Sequence, residues 1–247
     1  LGGGPQKVGV AVADLFTGMY ATVAVLAALR HAERTGEGQY VDMALLDTQV
    51  AMLANLGANY LVSGKVPGRS GNAHVNIVPY QVFEVKAASE GQRDHVIVAV
   101  GNDGQFAKFC EVAGVPDLAR DPKFTRNADR VRHRGELVPM LEKILHTRTK
   151  ADWLASLEAA KVPCGAINHL GEVFADAHVL SRGMVSHWEH PLTPDLRLVS
   201  SPMKLSRTPV RQDLPPPMLG QHTEAVLSEV LGLSAAEVEQ LRQEGAI

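Results

Sequence analysis

The sequence predicts a protein of the α/β class, with helical regions near both ends and strands between them. Residues 18–34 are mainly Ala, Val, Leu and Met up to Arg30, which predicts a helix buried on most of its faces. The runs VPYQVFEV at 78–85 and HVIVAVG at 95–101 are rich in strand-forming residues, and the polar stretch between them suits a hairpin. Half of the 14 prolines lie between Pro191 and Pro217, which favours an extended region there.

Before the strands, the pattern predicts two long helices separated by one short strand. The residues TGEG at 35–38 end the first helix, and residues 39–45 are typical of a strand. Apolar residues then recur every three or four positions and predict the second helix, at Leu46, Val50, Leu53, Gly57 and Tyr60. The stretch SGKVPGRSG at 63–71 favours an exposed linker and a domain boundary.

After the strands, helices resume around capping residues. Asp103 is placed to cap a helix that ends near Gly114. TKAD at 149–152 resembles a capping box at the start of another helix. Residues predicted to supply core are Leu137, Leu141, Ile144, Leu145, Trp153, Leu154 and Leu157.

The C-terminal region contains an edge strand and two helices in this interpretation. The strand is LRLV at 196–199, and the first helix is GQHTEAVLSEVLG at 220–232. Ser234 and Glu237 form a capping box that begins the last helix.

Composition limits the classes of partner. The chain has 247 residues, 45% of them hydrophobic and 21% charged, which is typical of a folded soluble protein. The formal net charge is only -3 and the cations are scattered, so nucleic acid is not expected as a partner and a small molecule is.

Compartment and processing are predicted from local features. Cys110 and Cys164 are too few and too far apart for a disulfide framework, which favours a reducing, cytoplasmic setting. No apolar run is expected to reach the roughly 18 residues that span a bilayer, so no membrane is predicted. The opening residues LGGGPQK include neither an initiator Met nor a signal peptide pattern, so the chain is expected to be a piece of a longer one.

Asp14 is a lone carboxylate ahead of the long apolar helix. An Asp at this point is commonly a helix N-cap, and that interpretation explains the charge without catalysis. The other interpretation is a nucleophile, since a carboxylate is already ionised at neutral pH and needs no base beside it. An acylated carboxylate is an anhydride that water destroys, so a nucleophilic Asp14 needs a closed, largely dry site.

Two further segments are candidates for a site. GRSGNAHVNIVPYQ at 68–81 is either an active-site loop or a plain loop between domains. HWEH at 187–190 carries two histidines three apart in a strand-like context, and no metal site is expected there. The sequence contains no phosphate-binding glycine motif, GxGxxG or GxxxxGK[ST].

Three segments in the same order resemble the class III CoA-transferases, the family of formyl-CoA transferase and carnitine CoA-transferase. They are VAVADLFTGMYATVAVLAALRHAERTGEGQYVDMALLD, then GNAHVNIVPYQVF, then PPPMLGQHTEAVLSEVLGLS. The resemblance runs almost from end to end, and the second and third segments look most like the succinate–hydroxymethylglutarate CoA-transferase type.

The resemblance implies an incomplete Rossmann-like large domain built from both chain ends, a smaller α+β domain and an interlocked homodimer. Residues 1–66 and 181–247 are assigned to the large domain, 67–77 to a linker and active-site loop, and 78–180 to the small domain. Family members are longer and begin with a nucleotide-binding-like half, so this chain is expected to be the C-terminal part.

The resemblance also implies the chemistry. Asp14 matches the family's catalytic nucleophile, which attacks the acyl-CoA thioester, forms an aspartyl-acyl anhydride and releases CoA thiolate. The acceptor acid then takes over the acyl group, the new anhydride is exchanged onto Asp14, and the thiolate completes the transfer. Coenzyme A is a substrate in this scheme, and no cofactor is implied.

The loop departs from the family pattern. Formyl-CoA transferase has a run of glycines where this sequence has His74, Val75, Asn76 and Ile77. We predict that His74, Val75 and Asn76 bind substrate, and that His74 and Asn76 approach the carboxylate of a dicarboxylic acceptor. Two alternatives stay open, namely an α-methylacyl-CoA racemase, which shares the fold, and a module that folds and dimerises without catalysis.

Overall fold

The structure, a computed structural model, describes residue 4, residues 6–211 and residues 213–247. The opening LGGGP therefore lies largely outside the described residues. The chain divides into two compact units, Leu1–Ile167 and Asn168–Ile247. The finer division into a large and a small domain stays a prediction.

The first unit begins with three helices, α1 (Val12–Thr35), α2 (Leu45–Ala51) and α3 (Ala54–Ser63). The prediction of a long first helix is confirmed, and it ends where Gly36 adopts φ 79°, a left-handed conformation that glycine enters without strain. α1 packs against α2.

The prediction that α1 is buried on most faces is wrong for this chain. None of its residues is buried, and large apolar side chains such as Phe16, Met19 and Leu26 are exposed. An apolar pattern reports which residues avoid water, but burial needs a neighbouring layer, and the described residues supply little beyond α2.

The expectation that no apolar run reaches about 18 residues is also wrong. α1 has 24 residues and is long and apolar enough to cross a membrane, by length and composition only. Asp14 and Arg30 stand near the two ends of the helix and leave the stretch between them uncharged. Core helices of folded proteins pass the same test, so this property does not place α1 in a bilayer.

Two predictions between α1 and the sheet are corrected. Residues 39–45 form no strand, and no strand among the described residues pairs with them. The second long helix is divided into α2 and α3, because the chain breaks at 52–53 and Ala54 takes φ 45°. The periodic apolar residues continue through a break that periodicity does not detect.

A three-stranded antiparallel sheet follows, with strands β1 (Tyr80–Val85), β2 (Asp94–Ala99) and β3 (Cys164–Ala166) in that order. β1 and β2 pair as the predicted hairpin, with Tyr80 opposite Ala99. β3 pairs with the other edge of β2.

Four helices and a 3-10 turn complete the first unit. They are α4 (Asp103–Val112), the turn Pro116–Ala119, α5 (Asn127–Arg132), α6 (Arg134–Leu145) and α7 (Lys150–Ala159). Leu137, Leu141, Leu145, Trp153 and Leu157 are fully buried, which confirms those core predictions. Burying each such side chain contributes about 1.5–3 kcal/mol.

The helix caps agree with the sequence in part. Thr149 caps α7 by accepting a hydrogen bond from the Asp152 N–H, which is one half of the predicted capping box. The cap of α4 is Asn102, whose side chain accepts from the Gln105 N–H, and Asp103 lies in the first turn instead. Asp103 is thereby free to bond elsewhere.

The second unit holds α8 (Leu170–Ala175), α9 (Ala177–Ser181), a hairpin of β4 (Val185–His190) and β5 (Thr193–Val199), α10 (Thr223–Glu229) and α11 (Ala235–Gln243). The predicted strand at 196–199 lies in β5. The capping box of Ser234 and Glu237 at α11 is confirmed.

Candidate active site

Asp14 is the third residue of α1 and its only acidic residue in the first turn. The N-cap is Ala11, which makes no side-chain capping bond, so the interpretation of Asp14 as the N-cap is wrong. A carboxylate in the first helical turn still lies where the unpaired N–H groups and the helix dipole favour negative charge.

The Asp14 side chain has no bonding partner among the described residues. It is exposed, and within the described part of the chain it makes no hydrogen bond or ion pair. Its neighbour one turn on, Thr17, directs its hydroxyl back to the Ala13 carbonyl at 2.7 Å. The dry enclosure that an anhydride needs is therefore not formed by the described residues.

The second candidate, the loop at residues 74–77, is held by its backbone. The Arg134 guanidinium donates to the carbonyls of His74 (3.2 Å) and Val75 (2.8 Å). The Asn127 side chain donates to the Asn76 carbonyl at 2.8 Å and accepts from the Val78 N–H at 3.1 Å. These contacts fix the backbone of the loop through its carbonyl groups and one N–H group.

The His74 ring has a defined orientation. It stacks on Tyr80 with ring centroids 5.4 Å apart and planes 21° apart. The Asn76 N–H donates to its Nδ1 at 3.0 Å, so Nδ1 carries no proton and a neutral ring bears its proton on Nε2. Nε2 is then the nitrogen available to donate to a carboxylate.

Arg130 anchors the end of the loop from within the core. The side chain is fully buried, and its Nε donates to the Val78 carbonyl at 2.7 Å. Nη1 donates to the Phe124 carbonyl at 2.8 Å, and Nη2 donates to the Asp103 carboxylate at 2.9 Å. The guanidinium also lies 4.4 Å from the centre of the Phe106 ring. All three nitrogens of this buried cation donate hydrogen bonds, and one face of the guanidinium meets an aromatic ring, so the charge is compensated as burial requires.

The structure links the loop to α3 but not directly to Asp14. The Asn76 side chain lies 3.4 Å from the Asn59 side chain, at the outer limit of a hydrogen bond. In the described ranges no hydrogen bond joins Asp14 to His74, Val75 or Asn76. The binding roles predicted for those three residues stay predictions.

Sequence reasoning missed Asn127, Arg130 and Arg134. They stand three and four positions apart in NADRVRHR, a spacing that brings side chains to one side of a helix. The run reads as a charged, solvated surface, and only the contacts with the loop distinguish these residues from their neighbours. The spacing of three and four residues was the one feature of the sequence that could have indicated that these side chains act together.

A separate cavity of about 390 Å³ lies in the second unit, lined by apolar side chains together with His187 and Arg197. The Asp195 carboxylate accepts a hydrogen bond from Arg197 and bonds to the His187 ring, and these two bonds, that of Arg197 above all, hold the pKa of Asp195 below its usual value. Among the residues that the structure describes, no group of three His, Cys, Asp or Glu side chains could hold a metal ion.

Comparison with known proteins identifies the family. The family model described as CoA-transferase family III matches residues 1–223. A succinate–glutarate CoA-transferase of Agrobacterium fabrum is 45% identical over 92% of this chain and 56% of its own length. A human succinyl-CoA:glutarate CoA-transferase is 37% identical over 99% of this chain and 55% of its own length. A succinyl-CoA:mesaconate CoA-transferase of Haloarcula hispanica is 33% identical over 92% of this chain and 55% of its own length.

Solved structures agree on the fold. A CAIB/BAIF family protein from Brucella suis is 41% identical, with a TM-score of 0.72 over 92% of this chain and 57% of the other. The chain spans about half the length of the curated relatives it matches. The mixed helix and strand architecture, the family match over most of the chain and these relatives together show that the chain belongs to CoA-transferase family III.

Proposed function

We propose that this chain carries the nucleophile of a CoA-transferase that moves CoA from an acyl-CoA donor to a dicarboxylic acid, and that the nucleophile is Asp14. Family membership supports CoA transfer. The names of three relatives, which pair succinate or succinyl-CoA with glutarate or mesaconate, support dicarboxylic substrates. Coenzyme A then enters and leaves as a substrate.

The observation that carries the proposal is the placement of Asp14. Asp14 begins the segment that resembles the nucleophile segment of the family, which distinguishes it from the equally exposed first-turn Asp47 of α2. It is exposed and makes no capping bond or ion pair to another described residue, so its carboxylate is available to a substrate. The helix start favours its ionised form, which is the form that attacks a carbonyl.

The reaction balances without an added oxidant or base. A carboxylate oxygen of Asp14 forms a bond to the thioester carbonyl carbon, and the carbon–sulfur bond breaks to release CoA thiolate. The acceptor carboxylate then attacks the carbonyl carbon of Asp14 in the anhydride, and the bond from that carbon to the bridging oxygen breaks. The donor acid leaves as a carboxylate, and the acceptor forms the new anhydride with Asp14. Thiolate then attacks the acceptor carbonyl and expels the Asp14 carboxylate.

The same proposal covers the enclosure of Asp14, the residues that bind the acceptor acid, and the compartment. A homodimer and residues outside this chain complete the dry site, since the described residues leave Asp14 exposed. His74 and Asn76 approach the acceptor carboxylate, with the His74 Nε2 as donor, and Val75 lies beside them. The two cysteines are free thiols, which agrees with the reducing cytoplasm as the compartment.

The test compares two isosteric variants of the full-length protein, Asp14→Asn and Asp47→Asn. Asp47 is the matched control, because it is an exposed first-turn aspartate of α2. With succinyl-CoA and glutarate, Asp14→Asn is expected to lower kcat by at least about a thousandfold and Asp47→Asn to change it little. Full activity in Asp14→Asn would overturn the assignment. Deuterium exchange at the α-carbon without CoA transfer would favour the racemase alternative.

The loop assignment has its own test. His74→Ala and Asn76→Ala are each expected to raise the KM for the acceptor acid. A normal acceptor KM in both variants would refute the predicted contacts while leaving the role of Asp14 intact.

A further inference from the structure

Three side chains from the α5–α6 region grip the backbone of the loop that precedes β1. Asn127 holds the Asn76 carbonyl, Arg130 holds the Val78 carbonyl, and Arg134 holds the carbonyls of His74 and Val75. Four of the five backbone carbonyls from 74 to 78 accept these hydrogen bonds, so side chains of the α5–α6 region hold the backbone of the loop.

Arg130 and Asn127 belong to a closed network. Arg130 is fully buried and paired with Asp103, and the same Asp103 oxygen accepts from the Asn127 N–H at 2.8 Å. Replacing either residue would disturb the core as well as the loop. Their contribution to ligand binding cannot be separated from their contribution to folding.

Arg134 differs from them in burial and in charge. It is half-buried, and it has no carboxylate partner within the described part of the chain. It also begins α6, where the helix dipole disfavours a cation. Helix stability therefore does not explain a positive charge at this position, whereas the two loop carbonyls do.

We propose that Arg134 is a positioning residue for the acceptor acid: by holding the His74 and Val75 carbonyls it fixes the loop that receives the acceptor carboxylate. The inference rests on the proposed function. Arg134 takes no part in the attack of Asp14 on the donor thioester, so its loss alters recognition of the acceptor and leaves the first half of the reaction unchanged.

The expected effect follows from the bonds lost. Arg134→Ala removes two charge-assisted hydrogen bonds that fix the loop, and the KM for glutarate is expected to rise about tenfold to a hundredfold. Both bonds come from the single nitrogen Nη2, and Arg134→Lys keeps a charged nitrogen with several N–H donors on a shorter side chain, so it is expected to restore part of the affinity. Arg132→Ala is the matched control, since Arg132 is 70% exposed and paired with Asp129 at 2.7 Å.

The experiment measures both halves of the reaction in full-length protein. Succinyl-CoA without acceptor should give a burst of free CoA thiol, one equivalent per active site or less, and the burst should be the same in wild type, Arg134→Ala and Arg132→Ala. Steady-state transfer to glutarate should then show the raised KM in Arg134→Ala alone, with a partial return in Arg134→Lys.

The outcomes separate this inference from the proposed function. Absence of the burst in wild type would refute the proposed function itself. A normal burst with a glutarate KM within about twofold of wild type in Arg134→Ala would overturn only the role of Arg134. If Arg134→Ala does not fold, Arg134→Met decides the matter, because methionine fills much of the same space without a donor: a glutarate KM within about twofold of wild type, or a burst reduced as much as the overall transfer, would contradict a positioning role.

Discussion

Replacing Arg130 with leucine tests whether the core holds the loop. Leucine has no donor, so Arg130→Leu leaves the carbonyls of Val78 and Phe124 without the bonds they accept in a buried environment. It also removes the cation from the Phe106 ring and from Asp103, whose side chain is 53% exposed and can turn to water.

The loss of unfolding free energy in Arg130→Leu comes chiefly from the two buried carbonyls. Each unsatisfied buried acceptor costs about 1–3 kcal/mol, and the buried leucine returns about 1–2 kcal/mol. The free energy of unfolding is therefore expected to fall by about 3 kcal/mol, a large share of the roughly 5–15 kcal/mol of a typical domain. The melting temperature would fall by about 6–12 °C.

Urea unfolding followed by far-UV circular dichroism gives the free energy directly. Arg132→Leu is the control, because Arg132 is an exposed neighbour whose replacement should change stability by no more than about 0.5 kcal/mol. If Arg130→Leu unfolds within about 1 kcal/mol of wild type, the Val78 and Phe124 carbonyls do not depend on Arg130 and the account of the loop anchor is refuted.

Further predictions concern three residues of the same unit. Trp153→Phe removes the donor that bonds the Leu145 carbonyl at 2.7 Å, so unfolding should become easier by about 1–3 kcal/mol in a urea titration, with unchanged stability as the contrary result. Burial raises the pKa of the Cys110 thiol to about 12, so the native thiol should resist iodoacetamide at pH 9, where the unfolded chain reacts within minutes; rapid native labelling would contradict its burial. Because the folded thiol keeps its proton while the unfolded thiol loses it above its usual value of 9.0, stability should fall from pH 9 towards 12, and Cys110→Ala should fall less steeply over that range. Thr149→Ala removes the α7 cap and should cost about 1 kcal/mol by thermal denaturation, whereas an unchanged melting temperature would show that the cap is dispensable.

Elements whose partners lie close in sequence were predictable. The hairpin of β1 and β2 and the capping box at Ser234 depend on short-range pairing, and both are present as predicted. The core positions Leu141 and Trp153 follow from periodicity and local capping.

Elements that depend on a distant partner were not predictable. Residues 39–45 have strand-like composition but no neighbouring strand in the described chain, and α1 is apolar but uncovered. Periodicity shows which face of a helix is apolar, but it does not show which other element packs against that face. The break before Ala54 depends on a local backbone conformation, φ 45°, that side-chain pattern does not encode.

The candidate site divides in the same way. The order of the sequence motifs predicted Asp14 and the loop at 74–77. It did not predict the residues that hydrogen-bond to the loop backbone. Arg130 and Arg134 read as ordinary charged helix residues until their contacts are known, since nothing in a charged run tells a buried guanidinium from a solvated one.

Chemical trapping of the acyl-enzyme tests directly whether Asp14 is the nucleophile. Full-length protein would be incubated with succinyl-CoA and hydroxylamine, digested, and mapped by mass spectrometry. The account predicts an aspartyl hydroxamate at Asp14, dependent on the acyl-CoA and absent from Asp47. An active enzyme that yields no hydroxamate at Asp14, or yields it at another carboxylate, would contradict the claim that Asp14 is the nucleophile.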